Sequence, residues 1–193
     1  PPVVLYCKGD ESLLQGPALA IVGSRNPTPA GVETAHDFAS ELATVGIVVV
    51  SGLALGIDSA AHRGALKARG PTIAACATGL DMVYPQCHRH LAHQISEGGL
   101  VVSEFVLGTG VRRHHFPQRN RLISGLSLGT LIVEAAPGSG SLITAGFAAD
   151  QGREVFAVPG SINSPLSRGS HQLIRDGAQL VESARQIVEH LSL

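Results

Sequence analysis

"GIVVVSGLALGIDSAAHRGALKARGPTIAACATG" runs from Gly46 to Gly79 and holds one complete unit of the architecture. Ile47 to Val50 is a β-branched run with no polar alternation, the pattern of a strand covered on both faces. A glycine-rich loop follows, Ser51 to Gly56, and then "IDSAAHRGALKARG" carries helical periodicity. A second apolar run starts at Thr72. A strand, a helix of this length and another strand imply a right-handed crossover between parallel strands.

Outward from this unit the pattern repeats. Upstream, "PALAIVGS" reads as a strand ending at Gly23, followed by a helix from about Ala30 to Thr44. Downstream, "PTIAACATG" is followed by a helix over "HRHLAHQISEG", and "GLVVSE" by a helix from Gln118 to Ser127. "GTLIVEA" leads into the helix of "GSLITAGFAADQG". "REVFAVPG", "GSHQLIRDG", "AQLVES" and a last helix from Ala184 complete the series, and "VVLYCKGD" near the start reads as an added edge strand. The expected fold is α/β: an extended Rossmann-like, doubly wound, mainly parallel sheet with helices on both faces. The whole chain, 1–193, is expected to form that single domain.

Composition narrows the function classes. A hydrophobic fraction of 44% against 15% charged excludes a disordered tail. A formal net charge of −1 means that any polyanion must be held by a local patch. Three cysteines without disulfide spacing fit a reducing, cytoplasmic setting, and no signal peptide or apolar run of transmembrane length points to a membrane. The chain begins Pro-Pro, as expected of a processed chain or a piece.

In a doubly wound sheet, ligands bind beyond the carboxyl ends of the strands, so the loops there carry the chemistry. Gly23, Ser24 and Arg25 follow the first strand, Ser51 and Gly52 the second, and Gly138, Ser139, Gly140, Ser141 and Thr144 the fifth. Glycines let the backbone approach a ligand, and free amides at helix starts favour an anion. Five such loops on one rim, those after the first, second, third, fifth and sixth strands, suggest a phosphate-bearing ligand. No GxxxxGK[ST] loop occurs, and no GxGxxG follows the first strand, so no nucleotide cofactor is expected. Arg25 sits where a helix begins, against the helix dipole, which favours a ligand role for it.

A cationic block interrupts the neutral chain: Arg112, Arg113, His114 and His115, then "FPQRNRLISGLS" from Phe116 to Ser127, with no acid between Glu104 and Glu134. On a helix, Arg119 heads an apolar stripe with Leu122, Ile123 and Leu126, while Arg121 points elsewhere. A buried arginine needs a carboxylate, a carbonyl or a ligand. Glu104 and Glu134, each ending a strand, are candidate partners. Arg121, Arg112 and Arg113 are expected to be freer to meet phosphate, and a solvated cationic surface is the alternative.

"CHRHLAH" offers Cys87, His90 and His93 as metal-type side chains, but no second cluster completes a tetrahedral set, so no metal is expected and the histidines should face solvent. Asp58, His62, Asp81, Glu104 and Glu134 fall near the rim without a readable nucleophile–base order, and Asp58 can simply cap its helix. No catalytic residue is assigned.

The ordered series "IVGSR", "VSGLALGIDSAAHRGAL", "GLDMVYP", "VVSE", "FPQRNRLISGLS", "VEAAPGSGSLITA", "VFAVPG" and "LIRDGA", from about Gly16 to Glu182, resembles the DNA-processing protein A family, also called Smf. The resemblance implies an extended Rossmann fold flanked in full-length members by further domains, which are expected to be absent here. It implies binding and protection of single-stranded DNA in natural transformation, loading of the RecA recombinase, a homodimer formed through the later part of the domain, and no enzymatic activity. It places a DNA contact at Arg25 and a second at a lysine beside the Tyr-Pro pair. Here Gln86 follows Tyr84-Pro85 and Arg89 is the nearest cation, so Arg89, or the Arg112–Arg113 pair, takes the lysine's place. Phe116, Asn120 and Tyr84 complete the expected surface, with Phe116 also a candidate core residue. A nucleotide or nucleoside-phosphate hydrolase on a related fold is the competing reading, supported only around "PGSGSLITA".

Overall fold

A computed structural model describes all residues, 1–193. The central strand is β2, over Ala18–Gly23, preceded by β1 (Tyr6–Gly9) and a 3₁₀ segment over Glu11–Gln15. From β2 the chain winds through α1 (Pro29–Thr44), β3 (Val48–Ser51), α2 (Ile57–Lys67), β4 (Thr72–Ala75), α3 (Arg89–Gly98) and β5 (Leu100–Ser103). It then crosses back through α4 (His115–Gly125) to β6 (Gly129–Val133), and continues through α5 (Gly140–Asp150), β7 (Glu154–Ala157), α6 (Arg168–Arg175), β8 (Gln179–Leu180) and α7 (Ala184–Leu191).

The eight strands form one sheet in the order β1-β5-β4-β3-β2-β6-β7-β8. All neighbours are parallel except the edge pair β1–β5, whose antiparallel register sets Tyr6 against Ser103. β2 lies beside both β3 and β6, with Leu19 opposite Gly129 and Gly23 opposite Val133. The winding direction reverses between β2 and β6, so the loops leaving these two strands part and open a crevice.

Alternate residues of β2 explain its uninterrupted apolar run. Leu19 and Ile21 join Leu131, Val133 and Phe156 beneath α1, α2 and α7. Ala18, Ala20 and Val22 face the other way, with Val50, Ile73, Leu100 and Ile132, beneath α4 and α5. Both faces of every central strand are therefore covered, and no helix is long and apolar enough to cross a membrane.

The α/β, doubly wound expectation holds, down to the edge strand within "VVLYCKGD". Two details differ. The 3₁₀ segment was not foreseen, and α4 begins at His115 instead of Gln118. Pro117 falls in the first turn of α4, where its missing N–H leaves no intrahelical bond unmade, so it does not delay the helix.

Candidate functional site

The reversal point places the β2–α1 loop against the start of α5. Gly23 is required by packing: a Cβ there would lie 1.8 Å from the Val133 carbonyl oxygen of β6. The Ser24 hydroxyl accepts the Asn26 amide at 3.1 Å, turning the chain so that Arg25 is exposed at the rim. Across the crevice, Gly138 turns at φ 77°, a backbone state that favours glycine, and α5 begins at Gly140. A cleft of about 460 Å³ lies between the two loops.

α4 supplies the floor. Arg119 is buried, 3% exposed, and its Nη1 donates to the carbonyl oxygens of Gly52 and of Ala75, the latter at 2.7 Å. The Asp58 carboxylate accepts the Gly52 amide at 3.0 Å and the Ala54 amide at 3.4 Å. Burial raises the Asp58 pKa, with the Arg119 charge opposing it, and burial lowers that of Arg119, with Asp58 opposing. A Cβ on Gly52 would sit 2.0 Å from Nη1 of Arg119, so the loop between the two charges must be glycine.

The partners expected for Arg119 are engaged elsewhere. Glu104 pairs with Arg121, and Glu134 accepts the Thr28 amide at 2.8 Å and the Thr28 hydroxyl. The reason is topological: the sheet order runs the ends of β3 and β4 under α4, so Arg119 meets carbonyls there, while Arg121 faces the end of β5. Arg121, expected to be free, is thus held in an ion pair. Arg112 and Arg113 are exposed and unpaired.

A second, smaller cleft adjoins the first and shares Arg25, Ala54 and Arg119 with it; Gly52, Tyr84 and Phe116 are among the other residues on its border. The Arg25 guanidinium lies over the Phe116 ring, 5.4 Å from its centroid, and Tyr84 meets Phe116 edge-on at 5.7 Å. Tyr84 precedes a cis peptide bond to Pro85 and is exposed. The two aromatics expected at the binding surface are therefore one corner, with a cation over it.

Of the residues expected at the site, Gly23, Ser24, Arg25, Arg119, Asn120, Ser139, Gly140, Ser141 and Thr144 border the larger cleft. Gly52 and Phe116 border the smaller one. Asn120 links α4 to α5 by donating from Nδ2 to the Gly140 carbonyl at 3.3 Å. Ser51 lies behind the rim, fully buried, and donates to the Ile21 carbonyl at 2.6 Å, so it shapes the loop from below. Gly138 sits on the outer side of its loop, beside Arg168 and Arg175. Arg89 stands apart, on a groove of about 760 Å³ shared with Lys8, Asp81 and His90. Sequence reasoning did not single out Asn26 or Ala54, which border the larger cleft, nor did it foresee Asp58 as the residue that fixes the β3–α2 loop.

Two further expectations are corrected. His62 is not a rim residue: it is fully buried, with Nδ1 2.8 Å from the Thr72 hydroxyl, and burial pushes its pKa down to about 3. The histidines of "CHRHLAH" do not all face solvent: His88 is buried with Nδ1 2.9 Å from the Leu53 carbonyl oxygen, which leaves His90 and His93 exposed. Nowhere do three or more His, Cys, Asp or Glu side chains gather as a metal-holding group.

With this geometry in view, similarity to known proteins is informative. The chain is 45% identical over 192 residues to DNA processing protein DprA of Bacillus subtilis (strain 168), covering 99% of this chain and 65% of that one. It superimposes on the X-ray structure of DNA processing protein A from Streptococcus pneumoniae with a TM-score of 0.93 at 44% identity, over 97% of this chain and 66% of that one. DNA processing protein A from Helicobacter pylori, solved for insight into its single-stranded DNA binding mode, superimposes with a TM-score of 0.90 at 36% identity, over 99% of this chain and 87% of that one. The chain therefore spans about two thirds of the length of the Bacillus relative. The sequence model for DNA recombination-mediator protein A matches residues 1–192, and this chain belongs to that family.

Proposed function

We propose that this domain binds single-stranded DNA along the rim formed by the β2–α1, β3–α2 and β6–α5 loops and α4, and does no covalent chemistry there. The observation that carries the reading is the corner where Arg25 lies over Phe116 beside Tyr84, adjoining a glycine-rich cleft at the switch point. Phosphates are attracted by the cation and by open amides, and a splayed base can stack on an aromatic face. The Helicobacter relative, studied for its single-stranded DNA binding, supports the same partner for this chain. Arg112 and Arg113 extend the cationic track, and Arg89 is a more distant contact.

A binder suits the site better than a catalyst. Asp58 is committed to two loop amides, Glu134 to Thr28 and Glu104 to Arg121, so the rim carboxylates act as supports for loops. In the cell, the domain protects incoming strands in the cytoplasm during natural transformation, loads the RecA recombinase onto them, and works as a homodimer formed through its later half.

Fluorescence anisotropy of labelled oligonucleotides against salt tests the reading with wild type and Arg25→Glu. Single strands should bind more tightly than duplex, and the charge reversal should abolish most of that binding. Equal affinity for duplex, or an unchanged Arg25→Glu, would sink it.

A further inference from the structure

Asp58, Glu104 and Glu134 each brace one loop or hold one arginine of the rim. Asp81 does something different, because it ties two connections together. It lies in the β4–α3 connection, and both its carboxylate oxygens accept the amide of Gly108, in the β5–α4 connection, at 3.0 and 2.9 Å.

The β5–α4 connection needs such a tie. It runs over residues 104–114 without helix or strand, and none of those residues is buried. Val106 and Leu107 are 59% and 64% exposed, so apolar packing does not hold its middle. Its ends are fixed: Glu104 pairs with Arg121, and the Phe105 ring stacks on His115 at 4.0 Å between centroids. Arg112 and Arg113 lie between those ends, exposed and without an acidic partner. A cation on an untethered loop binds phosphate weakly, because its freedom is lost on contact.

The middle of the connection is held by residues 79–81. Besides the Asp81 bond, the Gly79 amide donates to the Thr109 carbonyl at 3.0 Å. The Thr109 amide closes a turn on the Val106 carbonyl at 3.1 Å, with Gly108 at φ 82°. The approach is close: a Cβ on Gly79 would lie 2.6 Å from the Val106 carbonyl oxygen and 2.7 Å from Oδ1 of Asp81. The β4–α3 connection is itself stiff there. The Met82 amide donates to the Gly79 carbonyl at 3.0 Å, and the Thr78 hydroxyl to the Met82 carbonyl at 2.8 Å. Tyr84 follows directly and meets Phe116 under Arg25. Asp81 thus joins the turn leading into the aromatic corner to the turn leading to the arginine pair.

We propose that Asp81 is a positioning residue for single-stranded DNA: by holding Gly108 it fixes Arg112 and Arg113 in place relative to the Arg25–Phe116–Tyr84 corner. This role rests on the strand-binding function proposed above and adds to it a residue that touches no DNA. A solvated surface acid is the competing role, and the two predict opposite signs. An acid beside a DNA path repels phosphate, so its removal would tighten binding, whereas removal of a brace weakens it.

Asp81→Asn and Asp81→Ala separate charge from tether. Both delete the same charge, but only asparagine keeps an oxygen that can accept the Gly108 amide. Asp81 is exposed and outside every helix and strand, so both variants should fold. In anisotropy titrations with labelled oligothymidine, Asp81→Asn should bind at least as tightly as wild type. Asp81→Ala should bind about fivefold more weakly than wild type, the cost of ordering two freed arginines. Its salt slope should approach that of Arg112→Ala with Arg113→Ala. Made in that double-alanine background, the two Asp81 changes should become indistinguishable. Hydrogen exchange of the Gly108 amide, followed by NMR without DNA, should quicken in Asp81→Ala. The role of Asp81 is overturned if its two variants bind alike in the otherwise wild-type protein, or if Asp81→Ala binds as tightly as wild type or more so. It is equally overturned if their difference survives loss of both arginines, or if Gly108 exchange is unchanged. Such outcomes beside the expected wild-type preference for single strands and the expected loss in Arg25→Glu refute Asp81 alone. A wild type without that preference, or an unchanged Arg25→Glu, refutes strand binding itself and this role with it.

Discussion

Arg119 and Asp58 grip one glycine from opposite sides: the guanidinium donates to the Gly52 carbonyl, and the carboxylate accepts the Gly52 amide at 3.0 Å. Both side chains are buried, so the β3–α2 loop is fixed by two charges taken out of water. Such an arrangement contributes modest net stability but becomes expensive when one member is removed.

Arg119→Met should therefore destabilise the domain by about 3 kcal/mol, because Asp58 keeps its burial while losing the nearby positive charge, and two carbonyls lose their donor. Urea denaturation measures this directly. Adding Asp58→Asn to Arg119→Met should cost less than the sum of the two single changes, since the uncompensated charge is gone. Strict additivity would show that the two residues act independently.

Phe116 and Arg25 form a second coupled pair, at 5.4 Å from guanidinium carbon to ring centroid. Phe116→Leu keeps apolar bulk and removes the π-face. It should weaken single-strand binding by about 1–3 kcal/mol, the usual worth of one stacked base, with little change in thermal unfolding. Combined with Arg25→Ala, the loss in anisotropy titrations should fall short of the sum, because each residue positions the other. An unaltered affinity in Phe116→Leu would mean that bases do not stack at this corner.

The cationic block divides by pairing. Arg121 is tied to Glu104, whereas Arg112 and Arg113 have no acidic partner. Single-strand binding loses about 0.7 in the log–log salt slope for each phosphate contact removed. Arg112→Ala with Arg113→Ala should then flatten the slope by up to about 1.4, and Arg121→Ala should change it far less. Equal effects of the two variants would place Arg121 on the DNA path.

The fold was legible because both-face burial leaves an unmistakable mark: Leu19 to Val22 and Val48 to Val50 are apolar at every position, and each run is followed by a glycine-rich loop. The cleft was legible to the extent that its loops follow β2 and β6, which any doubly wound order brings together. Pairing was not. Whether Arg119 meets Glu104, Glu134 or a carbonyl depends on which strand ends lie under α4, and that is a property of strand order. His62 shows the same limit: its place in "GIDSAAHRGAL" fits a helix, but only the crossing of α2 over β4 puts it against Thr72.

His62 also makes the domain sensitive to acid. With its pKa held down to about 3 against a usual 6.5, the folded state binds fewer protons than the unfolded state between those values. Stability therefore rises with pH across that window and is lost as pH falls, by roughly 1.4 kcal/mol per pH unit at most, or on the order of 2 kcal/mol from pH 6.5 to 5. The causes are burial first, then the charges of His88, Arg119 and Arg63. Asp58 works in the opposite sense, because its raised pKa lets the folded state keep a proton above 3.8 that the unfolded chain has released. The wild-type profile is thus a difference, and a variant must isolate the histidine. His62→Leu suits this, since Thr72 retains its bond to the Val49 carbonyl at 2.7 Å and an unpartnered Nε2 is removed. Denaturant midpoints of His62→Leu should be flatter than wild type from pH 6.5 to 5, with the variant gaining relative stability toward the acid end. Parallel profiles would show that the imidazole finds its proton without unfolding.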